Sequence, residues 1–184
     1  NSRGAAFMNH AALPLVGVSR CLLGQRVRYD GRDKFAPRVA ALAGYCLLVP
    51  FCPEVEAGMP VPREPAHVGG SPLEPRFVGN RSLEDHTFRL MGRIMARLEE
   101  LARTPLSGYV FKSGSPSCAA VEMVSVFDDL GRTRGRSLGL FARAFRERFP
   151  WIPVADERVL ADHSRWADFL EAVRRRHRRR GGEV

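Results

Sequence analysis

Val16-Gly17-Val18-Ser19-Arg20-Cys21-Leu22-Leu23-Gly24 is a short apolar run that turns polar within two residues and closes on a cysteine and a glycine turn. Leu15 to Arg20 reads as a buried strand, and Cys21 to Gly24 as the turn that leaves it. The arrangement recurs twice. Tyr45 to Phe51 is an apolar strand left by Cys52-Pro53-Glu54, and Gly108 to Lys112 is a third, left by a Ser/Gly loop that reaches Cys118. Such exits gather at one edge of an open parallel α/β sheet, the edge where ligands bind.

The segments between them complete the pattern. Pro37 to Leu42 predicts a short helix that Gly44 terminates. Gly58 to Gly79 is dense in proline and glycine, which argues against helix and against ladder pairing, so it reads as a long loop whose Arg63, Glu64 and Arg76 cover a site. Ser82 reads as the N-cap of a helix that buries Phe88, Met91, Met95, Leu98 and Leu101 and ends near Arg103. Val121 to Phe127 is a strand or a short helix, and Asp128 to Gly135 a polar turn region. Leu138 to Phe149 is a second amphipathic helix closed by Pro150, Ile152 to Val154 a further strand. Trp166, Phe169, Leu170 and Val173 mark a last helix. Alternating strands and helices predict a single-domain α/β fold, Rossmann-like, with a mainly parallel sheet and helices on both faces.

Bulk properties agree with one ordinary globular domain. The 184 residues allow one sizeable core, and the hydrophobic and charged fractions of 45% and 27% are unexceptional. No apolar run approaches the ~20 residues of a membrane span. No signal peptide is legible, so the expected compartment is the cytoplasm. Residues 1–9 read as a cloning remnant. The net charge is +9, but Arg174, Arg175, Arg176, Arg178, Arg179 and Arg180 supply six of it and leave +3 for the rest. The basic tail, residues 174–184, is either a solvated helix end or a phosphate-binding arm for RNA.

Four cysteines without any Cys-x-x-Cys pair argue for reduced thiols, a metal or catalysis. Cys46 lies inside an apolar run and reads as a small buried hydrophobe. Cys21, Cys52 and Cys118 are candidates for one shared centre. Soft sulfur suits zinc or an iron–sulfur cluster. Structural zinc wants a fourth protein ligand, for which His67 or His86 would have to serve, whereas a cluster on three thiolates leaves one iron open. Glu54, two residues past Cys52, suits acid–base work at the same edge; otherwise it is a surface carboxylate paired with Arg63 or Lys112. The Lys112–Cys118 loop is either an anion or oxygen cradle or a plain turn.

Ser19-Arg20-Cys21-Leu22-Leu23-Gly24, Val27-Arg28-Tyr29-Asp30-Gly31, Val49 to Met59 and Pro62-Arg63-Glu64-Pro65 together resemble the thiouracil desulfidase (TudS-type) family. Lys112-Ser113-Gly114-Ser115-Pro116-Ser117-Cys118 is similar to that family's third cysteine motif, and the likeness continues through Gly139 to Phe145 and Pro150 to Asp156. The resemblance implies a [4Fe-4S] cluster held by Cys21, Cys52 and Cys118, with the catalytic carboxylate at Glu54 and the catalytic hydroxyl at Ser115. It implies conversion of 2- or 4-thiouracil, or thiouridine in tRNA, to the oxo base with release of sulfide. Residues 10–177 would then be the desulfidase domain. The Asp85-His86-Thr87 and Phe141 to Pro150 stretches look most like the first domain of two-domain members that act on tRNA. Ala119, Ala120 and Arg32-Asp33 depart from the family pattern. Two other classes fit parts of the sequence: a zinc-containing nucleic-acid-binding module without catalysis, and a sulfur carrier using one reactive thiol.

Overall fold

The computed structural model describes residues 13–181; the segment read as a cloning remnant lies outside them. The chain runs through β1 (Leu15–Ser19), α1 (Pro37–Ala40), β2 (Leu47–Phe51), α2 (Pro53–Glu56), β3 (Ala66–Gly70), β4 (Pro75–Gly79) and α3 (Thr87–Ala102). It continues through β5 (Leu106–Phe111), β6 (Val124–Phe127), β7 (Thr133–Ser137), α4 (Leu140–Arg148), β8 (Val154–Asp156), α5 (Glu157–Ala161) and α6 (His163–Gly181). No helix among the described residues is long and apolar enough to cross a membrane.

The main sheet has the order β2-β1-β5-β8, and every pair in it is parallel. All six residues of β5 are buried, which a strand covered on both faces requires. Alternation along it divides the core. Tyr109 and Phe111 face α3 and α4, where Tyr109 stacks on Phe111 at 4.2 Å between ring centroids and meets Phe141 edge-on at 5.5 Å. Val110 faces the other way, with Val16, Val18 and Ala155, toward Val39 of α1, Leu160 of α5 and Phe169, Leu170 and Val173 of α6. Helices therefore cover both faces, as the alternation of elements predicts. Gly17 is obligatory at the centre, since a Cβ there would stand 2.2 Å from the Tyr109 ring.

A second sheet, order β4-β3-β6-β7, corrects the reading of the Pro/Gly-rich segment as loop. β3 and β4 form an antiparallel pair, Ala66↔Gly79 through Gly70↔Pro75, and β3 also pairs with β6 in parallel. The prolines stand at strand boundaries, where no ladder N–H is lost: Pro65 precedes β3, and Pro75 opens the edge strand β4. Asp128 to Arg132 turns as expected, and the chain beyond it forms β7 against β6.

The helix expected from Ser82 starts five residues later. Ser82 is bonded to Glu64, and the stretch before the helix pairs with β4 through Val78 and Asp85. The expected stripe is also wrong at Phe88 and Met95, although Leu98 and Leu101 are buried as expected. α3 buries Leu90, Ile94, Leu98 and Leu101, whereas Phe88 is 95% exposed and Met95 50%. At about 100° per residue, Phe88 and Leu90 point to nearly opposite sides.

Two local devices hold the exit of β5. The N-terminus of α4 packs directly on it: Leu140 N–H donates to Pro116 O at 3.0 Å and Phe141 N–H to Ser117 O at 2.9 Å. A Cβ on Gly139 would come within 2.5–2.7 Å of the Ser117, Cys118 and Ala119 backbone. At the first turn of α5, capped by Asp156, Glu157 accepts from Lys112 Nζ at 2.5 Å, Ser113 Oγ at 2.6 Å and Ser113 N–H at 2.9 Å. Burial acts to raise the Glu157 carboxyl, but these hydrogen bonds outweigh it and hold the group below its ordinary value.

Gly139→Ala should therefore cost about 1–3 kcal/mol, read as a fall of several degrees in Tm. Glu157→Gln tests the second device. A depressed acid contributes stability that is full above its unfolded value of 4.5 and is lost as pH falls through the folded one. Urea midpoints of wild type and variant should stand apart near pH 7 and converge as pH falls through the acid range below about 4.

Candidate active site

The exits of β1, β2 and β5 meet at the C-terminal edge of the main sheet. They enclose a cavity of about 370 Å³. Cys21 enters from the 3₁₀ turn Arg20–Leu23 after β1, a turn stopped by Gly24 at φ +85°. Cys52 immediately precedes α2, whose Pro53 and Glu54 continue the wall. Cys118 ends the loop from β5. All three thiols are free; Cys21 and Cys118 are buried and Cys52 is half-buried. Thus three residues separated by 31 and 66 positions line one cavity. Cys46, just before β2, is buried, as its sequence context predicts; it shares a hydrophobic cluster with Cys21 but does not line the cavity.

The thiols resist ionisation. Burial, then the neighbouring Cys52, pushes Cys21 up to about 12. Burial raises Cys118 further, with Cys52 again the next cause, and burial likewise raises Cys52. Three thiolates here would repel one another with little water to screen them. Lys112, Arg28 and Arg63 oppose that effect only in part.

Two carboxylates flank the thiols with opposite assignments. Glu54 is gripped by Arg63, whose Nε and Nη2 donate to Oε2 at 2.9 and 2.5 Å while Nη1 donates to Val27 O and Pro60 O. Both side chains are largely buried. Lys112, the other sequence candidate for pairing with Glu54, belongs to Glu157 instead. Of the three charged residues expected to cover the site, Arg63 lines it. Glu64 accepts from the Arg81 and Ser82 backbone, and Arg76 pairs with Asp85 and Asp129.

The free oxygen of Glu54 starts a chain of hydroxyls. Ser117 Oγ donates to Oε1 at 2.7 Å, and the Ser115 and Ser117 hydroxyls are 3.0 Å apart. Ser115 Oγ accepts from Ser117 N–H at 3.2 Å and Cys118 N–H at 3.1 Å. With its lone pairs engaged by two amides, the Ser115 O–H is directed at Ser117, so the chain runs Ser115→Ser117→Glu54. Sequence reasoning singled out Glu54 and Ser115 but missed the link. Ser117 is fully buried beside Cys118, and only the fold reveals that it meets a carboxylate 63 residues away.

Neither candidate histidine joins the thiols. His67 lies on β3 and meets Asn80 Oδ1 at 2.8 Å; His86 stands near Glu84; neither lines the cavity. Among the described residues no group of three or more His, Cys, Asp or Glu closes around a single metal ion. Mononuclear zinc needs donors at ~2.0–2.3 Å from one point. The three thiols share a cavity without converging to that degree, a donor set suited to something larger and sulfur-loving.

The site's relatives are consistent with this geometry. The sequence profile of the 2-thiouracil desulfurase family matches residues 16–157. The uncharacterized protein YbbK of Bacillus subtilis (strain 168) is 30% identical over 111 residues, 58% of this chain and 74% of that protein. A solved structure of a [4Fe-4S]-dependent thiouracil desulfidase, TudS, superposes with a TM-score of 0.63 at 31% identity, covering 80% of this chain and 93% of its own. With the matched region taking in all three cysteines, Glu54 and the Ser115–Ser117 pair, the chain belongs to the 2-thiouracil desulfurase family.

Proposed function

We propose that this protein is a [4Fe-4S]-dependent desulfidase that converts a thiolated uracil to the oxo base and releases sulfide. The observation that carries the proposal is one cavity lined by three thiols from three strand exits and by the Glu54–Ser117–Ser115 chain. The likeness to TudS supports the cofactor. Cys21, Cys52 and Cys118 fit it as ligands, being three sulfur donors that line one cavity into which neither His67 nor His86 reaches. When bound, such a cluster supplies an iron with an open position, a Lewis acid for the substrate's sulfur.

The chain's own residues do the proton work. Glu54 Oε1 takes a proton from the water that adds to the carbon bearing sulfur, while the Ser117 hydroxyl, backed by Ser115, donates to the same carboxylate and holds it in place. Arg63, by occupying Oε2, keeps Oε1 turned toward the cavity. The water oxygen ends in the oxo base, and the sulfur leaves as hydrogen sulfide with both protons of that water, one of them returned by Glu54. Both hydroxyls donate toward Glu54, so the chain steadies the charged carboxylate, and the proton it gains goes to the leaving sulfur.

A free 2- or 4-thiouracil needs only this cavity. A second reading, thiouridine within tRNA, is favoured by the arginines of α6 and requires the nucleotide to be turned out of its stack. The cytoplasmic assignment stands as part of the same proposal.

Anaerobic reconstitution with iron and sulfide tests the ligand set. Wild type should take up iron and turn brown, and Cys21→Ser, Cys52→Ser and Cys118→Ser should each lose that uptake. Zinc uptake by a colourless wild-type protein would instead favour a binding module. Glu54→Gln should keep its iron and lose about 10²–10⁴-fold in turnover, measured as sulfide release. Ser117→Ala, which leaves Glu54 and Arg63 in place, should show a smaller loss on the order of tenfold.

A further inference from the structure

The arginine run is not a tail but the last turns of α6, and it lies at the opposite edge of the sheet from the thiols. α6 starts beside α5, near the exit of β8, and packs Phe169 and Val173 against Gly108 in β5. Its remaining turns pass beyond the start of β5. There a separate cavity of about 450 Å³ is floored by Leu101, Phe149 and Ile152 and walled by Trp151, with Arg179 and Arg180 on its rim. The six residues of β5 put it roughly 20 Å from the candidate active site, at ~3.3 Å per residue.

Trp151 is unusual in this position. It is 58% exposed, meets the Phe149 ring edge-on at 6.4 Å, and carries the Arg176 guanidinium 6.0 Å from its ring centre. A plain solvated helix end has no reason to place a half-open indole within a concave, arginine-rimmed groove. An apolar floor, an accessible aromatic wall and cations at the lip are what a stacked nucleobase with its phosphate requires.

We infer that this groove is an RNA-binding site, in which one unpaired base stacks on Trp151 and the flanking phosphates meet Arg179 and Arg180. Single-stranded RNA fits better than a purely ionic partner, because charge alone would leave the indole unused. A free base or nucleotide in the active site cannot touch the groove across the sheet, but an RNA of several nucleotides spans that distance. The inference extends the tRNA reading yet stands apart from the sulfur chemistry: failure to bind RNA leaves the desulfidase proposal untouched, and failure to release sulfide leaves this one untouched.

The test is anisotropy titration of the full chain with a labelled, unmodified RNA of ~20 nucleotides, with tryptophan fluorescence followed in parallel. Binding should quench Trp151, while Trp166, whose Nε1 donates to Arg38 O, reports the remainder. Trp151→Ala should weaken binding about tenfold or more and abolish the quench, with Trp151→Phe restoring most of the affinity. Arg179→Ala with Arg180→Ala should lower the slope of log K against log salt by about 1.4, roughly 0.7 per lost phosphate contact. Unchanged affinity in Trp151→Ala, or weakening of heparin binding to the same extent as RNA, would overturn the stacking site.

Discussion

Parallel pairing of β1 with β2 on one flank and β5 on the other is the constraint on which the rest of the molecule depends. Strands that run the same way must leave the sheet at the same edge. Cysteines at those exits therefore meet although no local motif joins them. Both faces of β5 are committed to packing: Tyr109 and Phe111 to the aromatic cluster of α4, Val110 to the helices behind. The loop that holds Ser115, Ser117 and Cys118 is as well placed as β5 itself, since Gly139 and Glu157 clamp it from both sides.

The electrostatics of the cavity follow from that burial. Thiols are brought together where each resists becoming an anion, and the nearby cations are already spoken for, Lys112 by Glu157 and Arg63 by Glu54. Under the proposed function an iron–sulfur core meets the charge that the protein leaves uncompensated. Glu54 differs from the thiols because it has its own guanidinium partner, so under the proposed function it serves the attacking water rather than neutralising a metal.

The two ends of one sheet thus have different surfaces. At the C-terminal edge converge sulfur and carboxylate; at the N-terminal edge α6 delivers its arginines beside Trp151. The basic run is a continuation of the helix that covers β5, which is why its location is determined by core packing at Phe169 and Val173 and not by its own charge.

Much of this was legible in the chain. Short apolar runs that break into turns identify β1 and β5, which are buried on both faces and have no polar alternation to hide them, and the edge strand β2, which is apolar although half-exposed; Cys46 is distinguishable from the other three by lying within such a run. Periodicity misjudged α3, because Phe88 and Met95 are large but exposed while Leu90 and Ile94 define the buried face. Proline density concealed β3 and β4, because composition does not register that prolines sit at strand boundaries. The sequence by itself determined which strands are buried and which cysteines stand at their exits, since both depend on neighbours along the chain. Only the tertiary structure decided that Ser117 meets Glu54, that Lys112 goes to Glu157 and that the arginines face away from the site. Those pairings depend on strand order and helix direction, and no local run of residues encodes them.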